Sequence, residues 1–132
     1  MMHLSLVSLG LAVTLTYAAA ATPAPVKWEA ALVTTVSAVG DSTGFTIIAN
    51  IQLPQPKACY DVAVQRIPTF LPPTRYEVRQ RHNGHFCTTI ITPYLVKQHF
   101  DAKPWPKSVN VYALDDQGKS KHWNLPVIVA RH

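Results

Sequence analysis

The chain has 132 residues, a formal net charge of +5 from 12 Lys and Arg against 7 Asp and Glu, and two cysteines. Once an apolar leader is set aside, about 110 residues remain, which is one domain with one core and no more. The basic residues are scattered without a run among them, so they read as a solvated surface that favours anionic partners weakly, and nothing in the pattern indicates nucleic acid.

Residues 1–21 are expected to be a signal peptide. Leu4 to Tyr17 (LSLVSLGLAVTLTY) carries no charge, and small residues follow from Ala18 to Thr22. An apolar run of this length is too short to span a bilayer comfortably but suits an export signal, with cleavage expected after Ala20 or Ala21. Residues 22–27 read as a flexible lead and residues 28–132 as the folded domain. The expected location is secreted or periplasmic, with no stable membrane insertion after cleavage. In such a compartment Cys59 and Cys87 most simply form one disulfide, which should stabilise the fold by roughly 3–4 kcal/mol.

In chain order, Lys27 to Val39 is rich in β-branched residues and reads as a long first strand, continuous or broken, ending at the turn cluster Gly40-Asp41-Ser42-Thr43-Gly44. Phe45 to Leu53 alternates strictly: Phe45, Ile47, Ala49, Ile51 and Leu53 share one face, as in a half-buried strand. Cys59 to Ile67 is a third strand with Tyr60, Val62 and Val64 inward, and that parity places Cys59 in the turn before it. Pro68 to Thr74 is a stiff crossover, because proline removes ladder donors. Arg75 to Pro93 reads as a hairpin around Asn83-Gly84, the pair that suits a two-residue type I′ turn. In that register Arg81 faces Phe86, and Gln80 faces Cys87. Tyr76, Val78 and Gln80 then lie on the buried face. Tyr94 to Lys107 lacks periodicity and reads as a long loop. Ser108 to Leu114 is a strand, Asp115 to Lys119 a turn, and Trp123 to Ala130 a last strand whose Pro126 implies an edge or a bulge.

About seven short antiparallel strands with turn residues between them predict an all-β fold, a small β-sandwich with one disulfide. In layout it resembles immunoglobulin-like or fibronectin-type modules. Trp28, Trp105 and Trp123 lie outside the cysteine pair, unlike the antibody arrangement.

Four groups of residues are candidates for function. Gly40 to Gly44 matches G-x-S-x-G, but a strand follows Ser42 where a serine hydrolase needs a helix, so hydrolysis by Ser42 is a remote alternative to a turn. His82 and His85 flank the predicted turn and would face each other as a metal-binding pair for zinc or copper, or else be loop-tip residues. The outward face of the hairpin, with Arg79, Arg81 and Phe86, forms a basic strip beside an aromatic. Trp105, held between Pro104 and Pro106, is either a rigid recognition anchor or a cap on the core. The chain contains no H-E-x-x-H, no C-x-x-C, no phosphate-cradling glycine loop and no N-x-S/T acceptor. Together these features predict a secreted, non-catalytic binding domain without a cofactor. Its expected partner is a macromolecule at the cell surface or in the extracellular space. The alternative is a secreted metal-binding protein centred on His82 and His85.

Overall fold

The computed structural model describes residues 27–68 and 74–129. The expected signal peptide, nearly all of the expected flexible lead and most of the expected proline crossover lie outside these residues. The described chain is all-β, with strands β1 (Glu29–Ala30), β2 (Leu32–Gly40), β3 (Gly44–Leu53), β4 (Tyr60–Ile67), β5 (Arg75–His82), β6 (Thr92–Asp101), β7 (Ser108–Leu114) and β8 (Ser120–Val129). One 3-10 turn, Lys57–Cys59, precedes β4. The strands form a single curled sheet in the order β1-β5-β7-β8-β2-β3-β6, with β4 also paired to β5. The sheet is mixed: β5–β7, β2–β7 and β2–β8 are parallel, so the expectation of an entirely antiparallel fold does not hold.

The curl is made by strands that change partners, a device by which sheets turn corners. The first strand breaks at the fully buried Ala31: β1 pairs with β5, and β2 beyond it pairs with β3. Ala31 itself donates to the Val78 carbonyl and accepts from the Leu114 amide, so it bonds to both sides at the crossing. β8 pairs with β7 as far as Pro126 and with β2 from Val127 onward. Pro126, which lacks a donor, therefore stands where β8 passes from one neighbour to the other. The outer strands β4 and β6 approach each other without ladder pairing. The Cys59–Cys87 disulfide spans the segments that lead into them, with Cα atoms 6.2 Å apart.

The core is enclosed by the curl. The inward face of β3 is buried throughout, from Phe45 to Leu53, as its alternation predicts. Tyr76 and Val78 of β5 and Val109 and Val111 of β7 meet it from the other side. At one end Phe45, Tyr76 and Phe100 form an aromatic cluster, with centroids 4.8–5.7 Å apart, joining β3, β5 and β6.

Two sequence expectations fail together. Phe86–Ile91 is not a strand, and the first part of the expected loop, Tyr94 to Asp101, belongs to a ten-residue strand, Thr92–Asp101, paired with β3 along its whole length. β5 is a strand, but β4 pairs along one of its edges for all eight residues, while β1 and β7 share the other. No edge is left for a hairpin partner. Asn83 does not adopt the positive φ that a type I′ turn needs. Instead its side chain donates to the Ala58 carbonyl and its amide to the Cys59 carbonyl, fastening the chain to the 3-10 turn.

Phe45 is central to the aromatic cluster and fully buried. Phe45→Ala is expected to destabilise the protein by about 3–5 kcal/mol, measured by urea unfolding at neutral pH.

Candidate functional site

The segment Asn83–Ile91 leaves β5 and reaches β6 without entering any ladder. Its residues are exposed apart from the half-buried Cys87. Gly84 has φ +95° and allows the chain to turn away from β5. The Gln55 amide donates to the Cys87 carbonyl, and the Thr92 hydroxyl to that of Ile90. The disulfide fixes the middle of the loop to Cys59, which is fully buried. Phe86, beside that anchor, is 100% exposed, and Ile90 and Ile91 are also largely exposed. A short loop thus holds three large apolar side chains in water.

The predicted basic strip has a different character. Outward residues alternate along β5 as Arg75, Glu77, Arg79 and Arg81. Glu77 bridges Arg75 and Arg79, and Arg79 also donates to the Gln65 amide oxygen. Arg81 pairs with Asp61 at 3.0 Å and lies over the Trp28 ring, 4.5 Å from its centroid. The guanidinium of Arg75 stacks on Tyr112 at 3.8 Å, and that ring stacks on His122. These arginines are held by neighbours on their own sheet, and Phe86 stands in the loop beyond the end of the strand.

With no hairpin there is no cross-strand histidine pair. His82 lies opposite Tyr60 on β4, its ring edge-on to the phenol, and its Nδ1 accepts from the Gly84 amide. His99, on β6, lies opposite Thr46 of β3, and His122, on β8, opposite Tyr112 of β7. Among the described residues no three His, Cys, Asp or Glu side chains are grouped as metal ligands.

The G-x-S-x-G segment is the loop joining β2 to β3. Asp41 organises it by accepting from the Thr43 amide, the Thr43 hydroxyl and the Gly44 amide. These hydrogen bonds hold the Asp41 carboxyl below its ordinary range. Trp105 closes this end of the core, its indole N–H donating to the Asp41 carbonyl at 2.9 Å. A Cβ on Gly40 would come within 2.6 Å of that ring, so the close approach depends on glycine. Trp105 is thus hydrogen-bonded and packed, half-buried, within its own chain.

At the opposite end is a cleft of about 410 Å³, lined mainly by Ala30, Leu32, Leu53, Leu114 and Ile91, with Glu29 and Gln52 also on its wall. The polar side chain in its interior is Gln80, 5% exposed, whose Oε1 has no hydrogen-bond partner among the described residues. The alternation along β5 predicts Gln80 inward, which makes a glutamine in an apolar row its sequence signal. The apolar residues around it come from four separate segments, and nothing local in the sequence brings them together.

The fold and these surfaces define a disulfide-bonded, all-β chain with a pinned apolar loop beside an apolar cleft. No protein-family model, curated protein or solved structure matches it.

The disulfide closes a separation of 28 residues. Replacing both cysteines by alanine is expected to cost about 3–4 kcal/mol in chemical denaturation. For Asp41 the sign follows from its depressed pKa. Its ionised form contributes stability above the ordinary carboxyl value near 3.8, and this contribution is lost as pH falls through the lower folded value. Asp41→Ala should therefore melt below wild type at neutral pH, and the gap should close in acid below about pH 4.

Proposed function

We propose that this protein is a secreted, non-catalytic binding module that uses the disulfide-anchored loop Asn83–Ile91 to hold a macromolecular partner. The observation that carries the reading is Phe86, wholly exposed one residue from a cysteine bridged to the core. An aromatic ring left in water forgoes about 1.5–3 kcal/mol of burial, which association recovers. Aromatic side chains also dominate binding hot spots, and a loop already constrained by a covalent anchor loses less entropy on docking.

The partner surface that suits it is an apolar pocket on another protein at the cell surface or in the extracellular space. Arg79 and Arg81 contribute less, because Glu77 and Asp61 already partner them. Export is consistent with the disulfide, and among the described residues no helix is long and apolar enough to cross a membrane. The corners at Ala31 and Pro126, with apolar faces turned onto one core, support reading the curled sheet as a sandwich of the immunoglobulin-like kind.

The test compares wild type with Phe86→Ser as baits for cross-linking in the extracellular fraction of the source cells. Since Phe86 supports nothing in the fold, the two should melt alike. A partner captured by wild type should be lost by Phe86→Ser; equal capture by both, or none by either, sinks the proposal.

A further inference from the structure

The cleft beside β1, to which the loop contributes Ile91 alone, carries a further inference. We infer that it is a binding site for a small neutral molecule with an apolar body and one hydrogen-bond donor, such as an alcohol, a phenol or a primary amide. Its volume of about 410 Å³ falls within the range of small-ligand pockets. Leu32, Leu53 and Leu114 supply the apolar wall. Gln80 supplies the polar requirement. Buried carbonyl oxygens are nearly always hydrogen-bonded, and leaving one unpaired is costly. A leucine would fill the same inward position of β5 without that cost. The glutamine therefore has its use in a state where Oε1 is paired. The terminal amide torsion is broad and roughly two-fold, so rotation of the amide can present the oxygen to a donor in the cleft. Glu29, also on the cleft wall, disfavours a carboxylate and so selects against fatty acids.

The probes are 1-naphthol and 1-methoxynaphthalene, which share an apolar body and differ in the donor. Binding to the intact protein is followed by amide chemical shifts. Naphthol should shift Leu32, Leu53, Gln80 and Leu114 and bind about two- to tenfold tighter than the methyl ether. In Gln80→Leu that preference should vanish, with both probes binding at the weaker level. The variant should also melt about 5 °C higher without ligand, because it removes the unpaired oxygen. Gln80→Met replaces it should the leucine variant fail to fold. The proposal is overturned by shifts confined to other residues or by an unchanged naphthol preference in the variant. It is equally overturned if the cleft amides respond to protein dilution and not to probe, which would make the occupant a second copy of the chain.

Discussion

A β-strand offers two rows of hydrogen-bonding groups, and in β5 both rows are taken, by β4 on one side and by β1 and β7 on the other. Much of the molecule follows from this. The chain that leaves β5 cannot fold back onto it, so it runs free of the sheet until β3 offers an edge for β6. The unpaired stretch between is the loop that exposes Phe86. The same crowding explains the disulfide. β4 and β6 end the sheet on opposite sides and come close without hydrogen bonds, and Cys59–Cys87 joins the segments that enter them. Where backbone pairing does not close the curl, a covalent bond ties it.

What could be read from the sequence was whatever local burial imposes. β3 has one face on the core and one outside it, so its alternation is visible in the residues and its five inward positions are all buried. β7 is equally plain. The first strand was legible as a strand, but nothing in its residues located the break at Ala31 or the change of partner there. β6 was not legible, because an edge strand beyond the core needs few apolar residues; Val96 alone among its side chains is buried. The hairpin misled for the opposite reason. Asn83-Gly84 is a strong local signal, but ladders formed with distant strands outweighed it, and Asn83 went to serve the 3-10 turn. Pairing between residues far apart in sequence leaves no trace in a short window.

The candidate sites divide along the same line. The arginines of β5 look like a basic patch in one dimension, because their acidic partner Asp61 comes from another strand and Glu77 lies between two of them. Trp105 between its prolines looks free until the β2–β3 loop is placed beneath it, with Gly40 allowing the contact. Gln80 was visible as a polar residue in an inward row, and only the assembled cleft gives that oddity a meaning. The two ends of the curl thus differ in chemistry. One is sealed by an indole and an aromatic cluster, and the other is open, apolar and next to the exposed loop.

The parallel pairing of β2 with β8 has a consequence for how the protein is made. The first long strand depends for one of its neighbours on the last, and those ladder bonds join Ala38–Gly40 to Val127–Val129. Contacts of such separation form late and slowly, since the whole intervening chain must be ordered around them. A nascent chain emerging from its amino end can assemble the β2–β3 pair early, but the sheet stays open at β2 until the final strand has been delivered. Until β8 docks, β2 presents a bare edge that other chains, or a chaperone, can occupy.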